Sequence, residues 1–145
     1  MEMKTLADIR DLLDAFVNWA SAQADVRGIA LVGSYARGAA RDDSDIDLVL
    51  LTDQPRKYLD DLKWIERFGS VEKHQTEDYG RLTSLRVWYQ NGQEVEYGVT
   101  TPDWAAIPLD AGTRQVISDG MMVLFEQGDV LSRHITPPPA QSKRR

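Results

Sequence analysis

Apolar residues near the amino terminus recur at steps of three and four positions, the spacing of one face of a helix. This pattern predicts a helix over residues 5–22 whose buried face carries Leu6, Ile9, Leu13, Phe16, Val17 and Ala20. Thr5, followed three positions later by Asp8, has the form of a capping box at its start. The next apolar run, residues 29–32, has no polar interruption and predicts a strand buried on both faces.

The middle of the chain predicts two further helices around a second strand. A short helix over 35–41 follows the break at Gly33-Ser34, and a strand over 45–51 follows the turn-forming residues after it. Pro55 suits the first turn of a third helix, and Gly69 suits its end. Its apolar face would carry Tyr58, Leu59, Leu62, Ile65 and Phe68.

The second half of the chain is dominated by a hairpin signal. Residues 82–89 and 94–100 flank Asn91-Gly92, a pair typical of two-residue hairpin turns. A strand and a polar loop are both compatible with residues 71–80. A helix over 110–119 and a strand over 121–125 follow. The element order predicts an α/β (α+β) fold, a mixed sheet flanked by helices in a single domain over residues 1–135, with a disordered tail over 136–145.

Composition narrows the function classes. The 145 residues carry 17 Lys and Arg against 23 Asp and Glu, a formal charge of −6, so we do not expect a nucleic-acid partner. There are no cysteines and only two histidines, which excludes thiolate chemistry and argues against a histidine-rich metal site. No apolar run approaches the roughly 20 residues of a membrane span. We therefore expect a cytoplasmic protein without a membrane partner.

A candidate anion site lies where the first strand gives way to a helix. Gly33 would let a phosphate approach the backbone, the Ser34 hydroxyl could donate a hydrogen bond, and backbone N–H groups point outward there. Arg37 lies about one helical turn further on, within reach of the same anion. A structural alternative is a simple strand-to-helix turn, with Arg37 on the surface and paired with Asp42 or Asp43.

Three acidic residues form a candidate metal site. Asp45 and Asp47 are alternate residues of a predicted strand, so they share one face and repel each other unless a cation lies between them. Hard divalent cations such as Mg²⁺ prefer carboxylate and phosphate oxygens. In the second arm of the hairpin, Glu94 and Glu96 share a face. We select Glu96 as the third acid because it lies deeper in the strand, whereas Glu94, near the turn, should be solvated. The alternative for these acids is a solvated strand face.

Val32-Gly33-Ser34, ten intervening residues and then Asp45-Ile46-Asp47-Leu48 resemble the signature of the nucleotidyltransferases of the DNA polymerase beta superfamily. The resemblance implies that Gly33, Ser34 and Arg37 hold the triphosphate of ATP. It also implies that the two aspartates bind Mg²⁺ (or Mn²⁺). Glu96 would then be a further metal ligand and the general base for an acceptor hydroxyl.

The resemblance implies transfer of AMP from a nucleoside triphosphate, ATP, to an unidentified acceptor, and three readings of it stay open. The acceptor could be an aminoglycoside-like small molecule, which would suit an acidic protein. The chain could instead be an antitoxin of the minimal nucleotidyltransferase type, which adenylylates a partner toxin protein. The third reading is a nucleotide-binding module without turnover. The size of the chain also allows a homodimer.

Overall fold

A mixed sheet organises the part of the chain that the computed structural model describes, residues 4–105 and 111–134. Its strands are β1 (Val26–Val32), β2 (Ile46–Thr52), β3 (Val71–Asp78), β4 (Thr83–Tyr89), β5 (Glu94–Thr100) and β6 (Met121–Glu126). The helices are α1 (Arg10–Ser21), α2 (Gly33–Arg37), α3 (Pro55–Leu59) and α4 (Ala111–Asp119). Single 3-10 turns are formed by Leu6–Ile9, Lys63–Phe68, Pro102–Ala105 and Ser132–His134. The predicted α/β class with a mixed sheet and flanking helices is confirmed.

The strand order β3-β4-β5-β2-β1-β6 places β2 and β5 side by side at the centre of the sheet. These two strands run parallel, whereas the other neighbouring pairs are antiparallel. Parallel neighbours need a long crossover connection, and the segment from α3 through β4 supplies it. The predicted hairpin is confirmed as β4 and β5, and Gly92 adopts the positive φ of +94° that its turn requires.

One face of the sheet is covered by α1 and the 3-10 turn Lys63–Phe68, which meet in an aromatic cluster. Phe16 is fully buried, and its ring lies 5.3 Å from that of Tyr97 on β5. Trp19 and Trp64 stack with ring centroids 5.3 Å apart. The aromatic rings bury a large apolar area and fix α1 across the middle of the sheet. The other face carries a smaller apolar cluster, whose buried residues include Val49, Leu51 and Trp104.

Several element boundaries differ from those predicted by the sequence pattern. The helix predicted over 35–41 starts at Gly33 and ends at Arg37, because Gly38 adopts a left-handed φ of +73° that terminates it. The helix predicted between Pro55 and Gly69 is divided into α3 and a 3-10 turn, and the Asp61 carboxylate accepts a hydrogen bond from the Lys63 N–H at the break.

Two other predicted segments are settled by the structure. Residues 71–80, for which a strand and a loop were both open, contain β3. The Thr5–Asp8 capping box is confirmed, but a 3-10 turn precedes α1. The predicted tail over 136–145 lies outside the described residues. Within the described ranges, no helix is long and apolar enough to cross a membrane.

Asp25 ties the edge of the fold together just before β1. Its carboxylate accepts hydrogen bonds from Thr52 Oγ1 at 2.6 Å, Tyr58 OH at 2.7 Å and Lys57 Nζ at 2.7 Å, which joins β2 and α3 to the start of β1. Burial opposes ionisation of Asp25, but these hydrogen bonds outweigh it and lower the pKa of the carboxyl group from 3.8 to about 2.

We predict that Asp25→Asn lowers the free energy of unfolding at pH 7 by about 2 kcal/mol, since charge-assisted hydrogen bonds are lost. Because the folded-state pKa lies below the unfolded one, the wild type should keep this contribution above pH 3.8 and lose it as the pH falls towards 2. Urea unfolding at several pH values measures both effects. The control is Asp53→Asn, an exposed partner of Arg27, which should cost under about 1 kcal/mol. Equal losses in the two variants would contradict the prediction.

Candidate active site

Three acidic side chains from two strand segments meet on the face of the sheet opposite α1. One carboxylate oxygen from each of Asp45, Asp47 and Glu96 lies within 4.8 Å of the other two. All three side chains are partly buried. The structure thus brings together the three acids that the sequence pattern singled out.

The register of the central strands brings these acids together. Asp47 on β2 is directly paired with Glu96 on the parallel strand β5. Residues that pair directly in neighbouring strands point to the same face, so the two carboxylates must meet. Asp45 lies just before β2 and two positions from Asp47, so the two side chains lie on the same face of the strand.

Gly33 brings the backbone at the start of α2 against this cluster. Val32 pairs with Asp47 across β1 and β2, so the next residue passes directly over the Asp47 side chain. A Cβ atom at Gly33 would lie 2.1 Å from Asp47 Oδ2, and the φ of +78° is one that glycine adopts readily. A residue with a side chain does not fit here without moving the carboxylate.

Burial and mutual repulsion change the acid–base properties of the cluster. Burial, the charge of Asp45 and a hydrogen bond with Glu96 together raise the pKa of the Asp47 carboxyl group from 3.8 to about 8. Burial and the charge of Glu96 also raise the pKa of Asp45, and the positive charge of Arg86 opposes that rise. Without a cation, the site therefore favours a proton on one of its carboxyl groups near neutral pH.

Arg86 and Ser84 on β4 complete the surroundings of Glu96. Glu96 Oε2 accepts a hydrogen bond from Ser84 Oγ at 2.5 Å, and Glu96 Oε1 accepts one from Arg86 Nη2 at 3.2 Å. Neither residue belongs to a motif that is recognisable in the sequence. The Asn91-Gly92 turn is the sequence signal that could have identified Arg86, because the hairpin register that it sets pairs Arg86 with Glu96.

The expectation that Glu94 is solvated is wrong. Its side chain is 27% exposed and hydrogen-bonds to Arg86, because β4 lies alongside and presents the guanidinium on the same face. Glu94 is not one of the three acids whose oxygens converge.

Ser34 and Arg37 both lie on α2, beside the cluster. Ser34 is partly buried in the first turn, and Arg37 is exposed and borders a cavity next to the acids. Asp42, one of the surface acids considered as a partner for Arg37, lies 3.8 Å from Lys4 Nζ.

A cavity of about 480 Å³ opens beside the acids. Gly33, Asp47 and Glu96 border it, together with Arg37 and Arg81. Apolar side chains supply much of the rest of its wall, including Val49, Leu82, Trp104 and Val116. This volume is within the range of small-molecule sites, and the lining combines an apolar wall with charges of both signs.

The donor set fits a hard divalent cation. The three converging groups are all carboxylates, the ligands that Mg²⁺ and Mn²⁺ prefer. The raised pKa of Asp47 reflects an excess of negative charge that a cation would neutralise. Asp45, Asp47 and Glu96 are the residues that would hold it.

Comparisons with known proteins agree on one family. Residues 10–99 match the family described as "Nucleotidyltransferase domain". Two proteins of Methanocaldococcus jannaschii, each named "Putative protein adenylyltransferase", are similar in sequence. One is 37% identical over 99 residues, which span 68% of this chain and 91% of that protein. The other is 34% identical over 70 residues, which span 45% of this chain and 70% of that protein.

A solved structure shares the fold. An aminoglycoside 6-adenyltransferase from Bacillus subtilis superposes with a TM-score of 0.54 at 15% sequence identity, over 66% of this chain. The superposed part spans 36% of that enzyme. At this identity the likeness supports the fold alone.

We predict that Asp47→Asn stabilises the cation-free protein at pH 8. Because the pKa of Asp47 is raised to about 8, the folded protein between about pH 4 and 8 holds a proton that the unfolded chain has released. The free energy of unfolding of the wild type should therefore fall as pH rises through that range. Urea unfolding in a chelating buffer measures it. The Asn variant should lose most of this slope, whereas Asp43→Asn, at an exposed turn, should keep it. An unchanged slope in Asp47→Asn would contradict the assignment.

Gly33→Ala should destabilise the fold more than Gly38→Ala does. Both residues adopt a left-handed φ, so each alanine costs about 1 kcal/mol in backbone strain. At Gly33 the added Cβ must also displace Asp47, whereas no atom lies within 4 Å of a Cβ at Gly38. Urea unfolding of the two variants measures the difference. Equal losses of unfolding free energy in the two variants would show that a Cβ atom at position 33 does not displace Asp47.

Proposed function

Because the chain belongs to the nucleotidyltransferase domain family, we propose that it transfers AMP from ATP to a hydroxyl group of a protein, with Mg²⁺ or Mn²⁺ as the cofactor. The proposal rests on the carboxylate oxygens of Asp45, Asp47 and Glu96, which lie within 4.8 Å of one another beside Gly33. The relative that aligns over 91% of its own length is named as a protein adenylyltransferase, which supports a protein acceptor.

The triphosphate would lie against α2 at the acidic cluster. Gly33 presents its backbone without a side chain, Ser34 can donate its hydroxyl, and Arg37 borders the same cavity. The apolar wall at Leu82 and Trp104 provides a surface on which a nucleoside could pack. These residues would orient the α-phosphorus towards the acids.

The reaction is an in-line displacement at the α-phosphorus. A bond forms between the acceptor oxygen and the α-phosphorus, the bond from that phosphorus to the oxygen bridging to the β-phosphate breaks, and pyrophosphate leaves. Glu96 accepts the proton of the acceptor hydroxyl. When bound, a divalent cation supplies charge neutralisation at the phosphate oxygens. Asp45, Asp47 and Glu96 would hold it. Because the displacement needs no covalent protein intermediate, positioning and electrostatics account for most of the rate enhancement.

An aminoglycoside-like acceptor is a second candidate, favoured by one observation. The chain carries a formal charge of −6, which would attract a polycationic small molecule. A partner toxin of an antitoxin system is one member of the proposed protein-acceptor class.

We predict that Asp45→Asn and Asp47→Asn each lower AMP transfer by at least about 100-fold, because each removes a carboxylate from the cation site while keeping its shape. Glu96→Gln should lower it comparably through loss of the base. Asp43→Asn, in the exposed turn before the cluster, is the matched control and should keep full activity.

The assay uses ATP labelled at the α-phosphate with Mg²⁺, offered separately to a protein extract and to a panel of aminoglycosides. Label on a protein band that requires all three acids supports the proposal. Label on aminoglycosides alone would overturn the protein acceptor. ATP binding without transfer to any acceptor would identify a nucleotide-binding module.

A further inference from the structure

Arg86 reaches the acidic cluster from the neighbouring strand, β4. Its guanidinium hydrogen-bonds to Glu94, lies 3.2 Å from Glu96 and lies 3.6 Å from Asp45. The side chain is 30% exposed, so these contacts are partly shielded from water. One arginine therefore contacts two of the three acids that we assign to the cation, together with a fourth carboxylate nearby.

Glu96 is held by a donor on each of its oxygens. Ser84 Oγ lies 2.5 Å from Oε2, and Arg86 Nη2 lies 3.2 Å from Oε1. Both donors come from β4, whereas Asp47 lies on β2 at the opposite side of β5. Two hydrogen bonds to one carboxylate fix its rotation, and an isolated glutamate on a strand has no such constraint.

Glu94 anchors Arg86 from outside the convergent cluster. Its carboxylate bonds Arg86 Nη1, and the Trp88 ring lies 6.0 Å from the centre of the guanidinium. Because neither Glu94 nor Trp88 is among the converging ligands, Arg86 keeps these partners when a cation engages Asp45 and Glu96. Arg86 would therefore keep its contacts with Glu94 and Trp88 when a cation binds, whereas the guanidinium and the cation would compete for Asp45 and Glu96.

We propose that Arg86 is a positioning residue with two effects, an inference that rests on the proposed function. With Ser84 it orients the Glu96 carboxylate for proton transfer. As an internal counter-ion it also competes with the divalent cation for Asp45 and Glu96, and so weakens cation binding in the nucleotide-free protein. Arg86→Lys keeps the positive charge but loses the planar guanidinium. It should therefore still compete with the cation but orient Glu96 only in part.

The test measures Mn²⁺ affinity of the nucleotide-free protein by calorimetry, and kcat and KM for labelled ATP at saturating Mn²⁺. Arg86→Met should bind Mn²⁺ at least about 5-fold more tightly, a lower bound because two unit charges about 4 Å apart already have an effect of that size in bulk water and these contacts are partly shielded. Its kcat should fall about 10-fold with little change in KM. Arg86→Lys should restore wild-type Mn²⁺ affinity while kcat recovers only in part.

Lys73→Met is the matched control. Lys73 lies on β3 on the same face of the sheet, with its ammonium 4.6 Å from the Trp88 ring, so the substitution removes the same charge from the same face. It should change Mn²⁺ affinity less than about 2-fold. Ser84→Ala should lower kcat without tightening Mn²⁺ binding, because it removes a donor and no charge.

The outcomes separate the two proposals. If Asp45→Asn binds Mn²⁺ as tightly as the wild type, the cation site itself is wrong. If Asp45→Asn loses Mn²⁺ but Arg86→Met binds it no more tightly than the wild type, the counter-ion effect is overturned. A merely structural Arg86 would lower the free energy of unfolding and leave Mn²⁺ affinity unchanged. Should Arg86→Met fail to fold, Arg86→Gln gives the same charge change and is judged by the same values.

Discussion

The carboxylates of Asp45, Asp47 and Glu96 repel one another in a partly buried site, and the surrounding structure is arranged around that repulsion. In isolation each would be more stable in water. The pairing of β2 with β5 places Asp47 and Glu96 at directly paired positions on the same face of the sheet. The site is therefore built at a cost to the stability of the cation-free protein, which is the usual relation between a charged site and the fold that carries it.

The larger apolar core lies on the face of the sheet opposite the acids, and a smaller one lies on the same face as the acids. On one face, Phe16, Trp64 and Tyr97 supply a densely packed aromatic core. That packing holds β5 rigidly, because Tyr97 and Glu96 are adjacent residues that point to opposite faces. Burial of Tyr97 on one face thus helps to position the Glu96 carboxylate on the other. A site on rigid strands keeps its geometry better than one on loops.

The negative charge of the acidic cluster is only partly balanced by Arg86. Four carboxylates, those of Asp45, Asp47, Glu94 and Glu96, surround or adjoin the guanidinium of Arg86. The positive charge of Arg86 opposes the rise in the pKa of Asp45, whereas burial and the charge of Asp45 raise the pKa of Asp47 to about 8. In a nucleotidyltransferase the bound substrate is itself an anion, so this excess negative charge has a clear use only together with a cation.

The sequence by itself determined the elements with strong periodic or turn signals, which are α1, the β4–β5 hairpin and the strand rich in apolar residues at β1. It also singled out three acids, because alternate positions on a strand share a face whatever the fold. Only the tertiary structure decided that β5 lies beside β2 in a register that pairs Asp47 with Glu96. Parallel pairing depends on a long crossover that no local pattern specifies. The contacts of Arg86 with Glu94 and Glu96 follow from the register of the β4–β5 hairpin, which the Asn91-Gly92 turn signals, whereas its approach to Asp45 depends on the non-local pairing of β5 with β2.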